Sequence, residues 1–274
     1  MVYARPLHEG RPLTFGVSGM LWRGSLVMFD RETQSLWSHV TGRAVAGPLA
    51  GAELKMLPAL HTTWALWRAI HPDTLVLEKR GPAPAQPHRF EDTHVLGVIQ
   101  GGEAVALPFG ELERQPLAHL TLAGRPLLVV YIEPAATAVA FWREVEGRVL
   151  TFERLAPHGA GWQMVDRETG SRWNAVTGEG LGGPLAGSDL RAVPATQAYL
   201  SSWRALYPRG ALWRAEHTSS DLLDGRWMKH QGARSADREP LDFPWLRGGV
   251  GLSANPSLGF RFEVSYRVPL QVRL

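Results

Sequence analysis

The sequence contains no cysteine among its 274 residues. Disulfide bonds and thiolate metal sites are therefore excluded, because both need the cysteine sulfur. The absence also removes the usual evidence for an oxidising or a reducing environment, so the redox compartment stays open. Packing and hydrogen bonding have to stabilise this chain without covalent cross-links.

The chain also lacks a long apolar segment. The longest strongly apolar stretch, Leu127–Ile132, is far shorter than the ~20 residues that span a bilayer. The N-terminal residues Met1–Gly10 include Arg5, His8 and Glu9 and have no apolar core of the kind that a signal peptide needs. We therefore expect a soluble, cytoplasmic protein with no membrane partner.

An excess of charge of one sign is missing as well. The formal net charge is +3 at pH 7, with 29 Lys and Arg residues against 26 Asp and Glu residues. Acidic and basic residues are interspersed, and no run of five like charges occurs. Nucleic-acid-binding proteins usually carry a basic stripe or a recognisable motif, so we expect no nucleic-acid partner. Hydrophobic residues make up 45% of the chain, which is typical of a globular protein.

What the sequence does contain is a repeat, in residues 10–77 and again in residues 147–213. When Asp30–Pro72 is aligned without gaps to Asp166–Pro208, 21 of the 43 positions are identical. The longest shared blocks have the patterns DRETxSxW and GPLAG. An identity of this size indicates common ancestry. We interpret the two segments, called the first repeat and the second repeat, as the products of an internal duplication.

Each repeat has the pattern of a β-rich unit with one short helix. In the first repeat, short β-type runs separated by turn residues lie at Leu13–Val17, Leu26–Phe29 and Leu36–Val40. A helix is predicted at about Thr62–Ile70, with a threonine cap at its start and Pro72 beyond its end. The predicted fold class is α+β and β-rich, with two homologous modules of short antiparallel strands and hairpins and one short helix each.

The repeat sets the predicted domain boundaries. The first module is expected at residues 1–78, a proline-rich linker at 79–93, the second module at 94–214 and a C-terminal extension at 215–274. The second module has more chain ahead of its repeat than the first module has. We therefore expect the first module to lack its upstream half.

That additional chain in the second module predicts three hairpins. Their turns are expected at Gly101-Gly102, at Ala123-Gly124 and at Glu146-Gly147. The third hairpin is expected to pair Val139–Trp142 with Val149–Phe152.

The C-terminal extension belongs to neither repeat. Its last fifteen residues alternate, with apolar side chains at Phe260, Phe262, Val264, Tyr266, Val268, Leu270, Val272 and Leu274. Every residue between them is polar or proline, and this period of two predicts a strand with one buried face. We expect the strand to complete the first module. Strand exchange in a homodimer and docking onto the second module are the alternatives.

Several short motifs occur in a fixed order along the chain. They are Leu13–Gly19, Leu26–Arg31, Gly47–Gly51, Thr63-Trp64 and His71–Asp73 in the first module, and Gly101–Ala104, Leu107-Pro108 and Gly170-Ser171 in the second. In these motifs the chain resembles the prokaryotic family DUF3179, a domain of unknown function, over about residues 10–213. The resemblance implies a β-rich fold and no established activity. Compared with that family, the chain looks truncated at its N-terminus and carries an unfamiliar C-terminal extension.

The family often carries a Cys-Pro-x-Cys segment in the strand before the first repeated unit. The counterpart of that segment in the second module, Ile132–Ala136, contains no cysteine. Thiol or selenol chemistry of relatives therefore does not carry over to this chain.

The DRETxSxW block holds the strongest candidates for chemistry. It places two carboxylates, Asp30 and Glu32, close together, and the second repeat has Asp166 and Glu168 at the same positions. The catalytic pair would be Asp30 with Glu32, or Asp30 with Asp166 across the two repeats. Two carboxylates about 5–9 Å apart can perform acid–base hydrolysis of a glycoside. The alternative is a hairpin turn, in which the aspartate accepts backbone N–H bonds and the tryptophan packs on the returning strand.

The histidines are distributed unequally between the repeats. His39, His61 and His71 of the first repeat correspond to Ala175, Gln197 and Tyr207 of the second. A site that uses imidazole would therefore lie in the first module, and ordinary surface or packed histidines are the alternative. No metal is expected, because the sequence has no HExxH, HxH or Cys/His cluster. Residues 178–183 match GxGxxG but lack the following helix, so no cofactor is expected.

Eleven tryptophans leave two further interpretations open. Trp37 and Trp67 recur in the second repeat as Trp173 and Trp203, which favours a core position for all four. Trp22 and Trp64 do not recur, and an exposed tryptophan face suits a sugar ring or another flat ligand.

Three functional hypotheses follow. A hydrolase of glycosides, esters or phosphoesters would use Asp30, Glu32 and His39 as catalytic residues in a groove near the first module. Its substrate-binding residues would be Trp22, Trp64, His61, His71, Asp166 and Glu168. A non-catalytic module would bind a small molecule or a carbohydrate on a Trp-lined surface, and a structural protein would assemble through its C-terminal strand. A carboxylate buried in a cleft with a raised pKa would favour the hydrolase.

Overall fold

The computed structural model describes residues 1–75, 93–159 and 161–216. The predicted linker lies outside these ranges except for Thr93, and the C-terminal extension lies outside them except for Ala215 and Glu216. The predicted terminal strand and its pairing therefore stay predictions. Within the described ranges the protein has an α+β fold rich in β-strands, and these residues all belong to one compact unit.

Over residues 1–75 the first module forms eight strands and one helix. The strands are β1 (Val2–Tyr3), β2 (Leu7–His8), β3 (Arg11–Pro12), β4 (Phe15–Trp22), β5 (Ser25–Asp30), β6 (Leu36–Ser38), β7 (Ala44–Ala46) and β8 (Met56–Leu57), and the helix is α1 (Trp64–Ile70). Thr63 caps α1, because its side chain accepts a hydrogen bond from the N–H of Leu66.

The second module begins with a longer series of strands. These are β9 (His94–Gln100), β10 (Glu103–Pro108), β11 (Leu117–Leu122), β12 (Arg125–Ile132) and β13 (Thr137–Trp142), with helix α2 (Phe109–Arg114) after β10 and a 3-10 helix at Glu133–Ala135. The rest of the module contains β14 (Glu144–Val145), β15 (Arg148–Val149), β16 (Phe152–His158), β17 (Gly161–Asp166), β18 (Arg172–Asn174), β19 (Gly180–Gly182), β20 (Ala195–Tyr199), α3 (Leu200–Leu206) and β21 (Ala211–Leu212). None of the helices in the described ranges is long and apolar enough to cross a membrane.

A three-stranded sheet at the centre of the second module carries its core. β12 lies between β11 and β13, and every residue of Leu127–Ile132 is buried. Leu127 and Val129 belong to one apolar cluster, whereas Leu128 and Val130 belong to another. Because both faces of β12 are covered, this segment is continuously apolar instead of alternating.

Each repeat forms a four-stranded antiparallel sheet with the same strand order. The order is β4-β5-β6-β7 in the first repeat and β16-β17-β18-β19 in the second. The pairing of the first two strands is shifted by an irregularity in both sheets, and so is the pairing of the last two. The N–H of Asp30 donates to the carbonyl of Ser35, as the N–H of Asp166 does to that of Ser171. The aligned segments thus share one strand topology.

Each repeat packs its helix against the other repeat. The buried Leu66 of α1 lies in an apolar cluster with Val176, which belongs to the second repeat. In the reverse direction, Trp203 of α3 lies in a cluster with Val40 of the first repeat. Val40 and Val176 stand at equivalent positions, 136 residues apart. The contact is therefore reciprocal, as in an arrangement with a pseudo-twofold axis.

The structure corrects two details of the second module. β13 pairs with β12 and not with Val149–Phe152, and the turn at Glu146-Gly147 closes the separate hairpin of β14 and β15. β13 therefore pairs with β12, the strand that precedes it in the chain.

The second module also has an additional helix, α2, which starts directly after Pro108 and buries Leu112. Proline suits this place because its fixed φ is compatible with entry into a helix.

Candidate functional site

The DRETxSxW block of the first repeat forms a hairpin turn around its aspartate. Asp30 ends β5 and is fully buried. Its carboxylate accepts hydrogen bonds from the Thr33 hydroxyl at 2.8 Å and from Trp37 Nε1 at 2.8 Å. Burial alone would raise the pKa of Asp30, but the hydrogen bonds from Trp37, Thr33 and Ser35 outweigh it and lower the pKa. The ionised carboxylate therefore joins the two strands of the hairpin.

The second repeat contains the same arrangement. The carboxylate of Asp166 accepts from the Thr169 hydroxyl at 2.8 Å and from Trp173 Nε1 at 2.8 Å. Because residues at equivalent positions make equivalent bonds, these contacts belong to the fold of each repeat and do not distinguish one repeat from the other.

The glutamate of each block also accepts hydrogen bonds, from a threonine that directly precedes the first strand of its sheet. Glu32 accepts the backbone N–H of Thr14 at 2.8 Å and its hydroxyl at 2.7 Å, and these bonds lower the pKa of Glu32. Glu168 accepts the N–H of Thr151 at 2.7 Å. Burial raises the pKa of Glu168, but the bonds from Thr151 outweigh it, so the net direction is downward. These glutamates tie each turn to the residue directly before β4 or β16, the first strand of its sheet.

A cavity of about 690 Å³ lies between the two modules. Its wall is mostly apolar and includes Leu26, Val40, Leu60, Leu96, Val139 and Phe141. The first module contributes the end of the β4–β5 hairpin, the residues after β6 and the loop before α1, while the second contributes β9, β13 and β20. The cavity therefore exists only where the two modules meet.

A few polar groups interrupt this apolar wall. His39 and His61 come from the first module, and His94, Gln197 and Tyr199 come from the second. Among the described residues, no Asp, Glu, Lys or Arg lines the cavity. Polar recognition in this space therefore depends on imidazole, amide and hydroxyl groups.

The histidines of the wall lie in different surroundings. His39 follows β6, and its backbone N–H donates a hydrogen bond to the Leu26 carbonyl at 3.0 Å. Burial lowers the pKa of His39, and the positive charge of the amino group of Met1 lowers it further. His61 is exposed, and its Nδ1 is hydrogen-bonded to Gln197 Oε1. The imidazole of His94, at the start of β9, lies 4.9 Å from the ring of Tyr199.

The remaining residues predicted for the site lie outside the cavity. Trp22 ends β4, and the guanidinium of Arg23 lies 4.8 Å from the centre of its ring. Trp64 begins α1 with about half of its surface exposed. His71 follows α1, and its ring lies 4.4 Å from that of Trp67. Asp30, Glu32, Asp166 and Glu168 do not line the cavity either. Of all these predicted residues, the cavity brings together only His39 and His61.

Gln197, His94 and Tyr199 are among the polar residues of the wall that reasoning from the sequence missed. Gln197 aligns with His61, and the difference between these two positions was a usable signal. His94 and Tyr199 carried no such signal, because they become neighbours only through the pairing of β9 with β20.

Metal and dinucleotide sites gain no support from the described ranges. They contain no group of three or more His, Cys, Asp or Glu side chains that could hold a metal ion. The GxGxxG match at residues 178–183 falls on β19 and its flanking turns, and the chain continues without a helix until α3. A dinucleotide fold needs a helix directly after that motif.

No curated protein and no solved structure matches this chain. One family model matches it in two stretches, residues 1–88 and 92–221. The first stretch contains the first repeat, and the second stretch contains the second repeat. Because these stretches together span well over half of the chain, the protein belongs to the family described as protein of unknown function (DUF3179).

Proposed function

We propose that this protein binds a small, mostly apolar molecule in the cavity between its two modules. The observation that carries the proposal is the cavity itself, with a volume of about 690 Å³ and an apolar wall. Small-molecule sites typically measure roughly 300–1,000 Å³ and combine apolar walls with a few placed polar groups. His39, His61, His94, Gln197 and Tyr199 are such groups.

A hydrolase based on Asp30 and Glu32 has less support. A general acid of that kind needs a raised pKa and contact with a cleft that admits substrate. Hydrogen bonds lower the pKa of both residues, and neither lines the cavity. A carbohydrate site on tryptophan faces has little support as well, because Trp22 and Trp64 lie outside the cavity.

We also propose that the repeats arose by internal duplication and that the cavity formed where the copies meet. The 21 identities in 43 aligned positions support this origin. The common strand order of the two sheets supports it too. The cavity wall contains the equivalent residues His61 and Gln197, which differ, and Ala59 and Ala195, which are identical.

Filling the cavity tests the binding function. Ala59 lines the cavity from an exposed loop, so Ala59→Phe adds bulk there without disturbing a buried core. The control is Ala52→Phe, at an exposed alanine of the same repeat outside the cavity. Naphthalene, indole and octanol serve as probe ligands. Ligand-observed NMR and thermal unfolding measure their binding.

We expect at least one of these uncharged probes to bind wild-type protein and Ala52→Phe equally. A ligand at one hundred times its Kd raises the unfolding free energy by roughly 2.7 kcal/mol, which a melting experiment detects easily. Ala59→Phe should lose most of this binding. Absence of binding by all three probes, or binding that Ala59→Phe leaves unchanged, would contradict the proposal.

A substrate screen separates binding from hydrolysis. Wild-type protein and Asp30→Asn are incubated in parallel with chromogenic esters, phosphoesters and glycosides. We expect no turnover by either protein. Turnover by wild type that Asp30→Asn loses while remaining folded would overturn the binding proposal in favour of the hydrolase.

A further inference from the structure

The segment that precedes the helix is paired in the second repeat and, within the described residues, unpaired in the first. In the second repeat this segment is β20, which pairs antiparallel with β9. Its equivalent, residues 59–63, forms no strand, and none of its backbone N–H groups donates to a described residue. The backbone at the ends of the two segments is nevertheless alike, with φ −73° and ψ 152° at Thr63 and φ −74° and ψ 141° at Tyr199. Residues 59–63, called the open edge, therefore end in backbone as extended as that of β20.

The pairing in the second repeat shows which groups of the first repeat could take up a neighbouring strand. The N–H of Leu200 donates to the carbonyl of Thr93 at 2.9 Å, directly before β9. Every second residue of an antiparallel strand bonds to the same neighbour, so the N–H of Ala198 points to β9 as well. The equivalent residues of the first repeat are Trp64 and Thr62. Their N–H groups therefore point to the place where an equivalent of β9 would lie.

The tryptophans of the two helices repeat this contrast. Trp203 of α3 is buried against β9, where a Cβ at Gly97 would overlap its ring. The equivalent Trp67 of α1 stays partly exposed in the described ranges. A glycine inside a strand often marks a place where another group approaches closely. A strand beside the open edge would meet Trp67 in the same way, and it would need a glycine at that point.

We propose that the open edge and Trp67 form a docking surface for an extended segment of a partner protein. The segment pairs antiparallel with the open edge, as β9 pairs with β20. It carries a glycine between apolar residues and places that glycine opposite Leu60, as β9 places Gly97 opposite Thr196. In such strand addition, main-chain hydrogen bonds supply the affinity and the fit of the side chains supplies the specificity. This interaction goes beyond the binding function proposed above and does not depend on it.

Two segments of the chain itself fit the requirement less well. The alternating residues 260–274 contain no glycine. β9 has the required glycine but is already paired on both sides, with β20 and with β10. A second copy of the chain could therefore donate β9 only by opening its own sheet. These considerations favour a segment from another protein.

The test measures peptide binding to the full chain. The glycine peptide reproduces β9, residues 94–100, with a lysine tail for solubility and a fluorescent label. The comparison peptide is the same sequence with Gly97→Val. Fluorescence anisotropy gives the affinity of each peptide for wild-type protein and for the variants described below.

The first pair of variants tests the contact with Trp67. Trp67→Ala removes the ring that excludes a Cβ from the docked strand. The control is Trp22→Ala, because Trp22 lies beside Arg23, whose side chain bonds to the Ala205 carbonyl of α3 and not to α1. We expect wild type and Trp22→Ala to bind the glycine peptide roughly tenfold more tightly than the valine peptide, since overpacking against a ring is unfavourable. In Trp67→Ala this difference should disappear.

The second pair of variants tests the main-chain bonds of the open edge. Thr62→Pro removes the N–H that points to the docked strand, whereas Thr62→Val keeps it. Both substitutions remove the hydroxyl that accepts a hydrogen bond from Thr137, so they are matched in that respect. We expect Thr62→Pro to bind the glycine peptide roughly tenfold more weakly, the effect of about one lost hydrogen bond. Thr62→Val should bind it as wild type does.

Several outcomes would overturn the proposal. Absence of binding by the glycine peptide, or equal affinity of both peptides for wild type, would refute the docking surface. A preference for glycine that survives in Trp67→Ala would place the peptide elsewhere, for example against Trp203 in exchange for β9. Peptides covering residues 217–274 serve as competitors. If one of them binds as tightly as the glycine peptide, the occupant is the chain's own extension and not a partner protein.

Discussion

The two repeats share a strand topology but differ in how deeply they are buried. Trp67 and Trp203 are equivalent, and the centre of each ring lies 4.4 Å from that of the ring four residues later. Trp203 is only 1% exposed and contacts β9, where Gly97 leaves room for its ring. Trp67 stays partly exposed, because no counterpart of β9 covers it in the described part of the chain. The strands outside the repeat, and not the repeat itself, decide whether this tryptophan is a core residue.

The first strands of the two sheets differ in the same way. β4 exposes Val17 at 67% and Leu21 at 65%. The corresponding residues of β16 are Arg154 and Pro157, because Leu21 pairs with Leu26 and Pro157 pairs with Trp162, the equivalent of Leu26. A charged side chain and a proline both make an edge strand resist pairing with another strand, whereas an apolar edge does not. Within the described residues, the edge strand of the second repeat is therefore protected against pairing, and the edge strand of the first repeat is not.

Mutation of the two equivalent tryptophans should give very different losses of stability. Trp203→Ala should lower the free energy of unfolding by about 3–5 kcal/mol, because it empties a fully buried site. Trp67→Ala should cost about 1 kcal/mol, since its ring is already partly in contact with water. Urea unfolding followed by circular dichroism measures both. Equal losses would show that the covering strands do not determine the difference.

Mutation of Asp30 and of Asp166 should give similar losses of stability, because their hydrogen bonds are alike. At pH 7, Asp30→Asn and Asp166→Asn should each cost about 1.5–3 kcal/mol, the usual contribution of hydrogen bonds to a charged group. For Asp30, a lowered pKa in the folded protein means that the stabilisation exists above pH ~3.9 and is lost as the pH falls through the folded value. The cost of Asp30→Asn should therefore shrink in acid. Denaturant titrations at pH 7 and pH 3 check this, and a loss in one repeat only would refute the equivalence.

Gly97 tests how the second repeat buries its tryptophan. A Cβ at this position would lie 2.0 Å from the ring of Trp203, so Gly97→Ala forces a shift in a packed core. We expect a loss of about 1–3 kcal/mol, the usual cost of overpacking. The control is Gly110→Ala in α2, where an added Cβ meets open space and should stabilise the helix by about 1 kcal/mol. A neutral Gly97→Ala variant would mean that the contact between β9 and α3 is loose.

Replacement of Val17, on the exposed face of β4, should change the unfolding free energy least. Val17→Arg gives the first repeat the residue that the second carries at Arg154. Since Val17 is largely exposed, the unfolding free energy should change by no more than about 0.5 kcal/mol. Thermal unfolding of the variant beside wild type measures the difference. A larger loss would show that Val17 makes packing contacts beyond those with the described residues.

Much of the local structure could be predicted because short-range patterns encode it. The hairpins at Gly101-Gly102 and Ala123-Gly124 form where the glycines predicted them. The helix predicted at Thr62–Ile70 begins two residues later, after its threonine cap. The pairing of β13 was predicted wrongly, since the turn at Glu146-Gly147 was clear but the competing partner β12 was not. A turn motif specifies which residues reverse the chain, but not how far the strands beside it continue to pair.

The repeat, the common turn around Asp30 and Asp166, and the strand-rich character of the fold can all be read from the order of the residues. Those features depend on contacts between residues close together in the chain, or on identities that can be counted. By contrast, no sequence pattern indicates that His39, His61 and His94 share one cavity, or that Trp203 is buried while Trp67 is not. These outcomes depend on how the two modules pack, and residues distant in sequence become neighbours only when that packing is known.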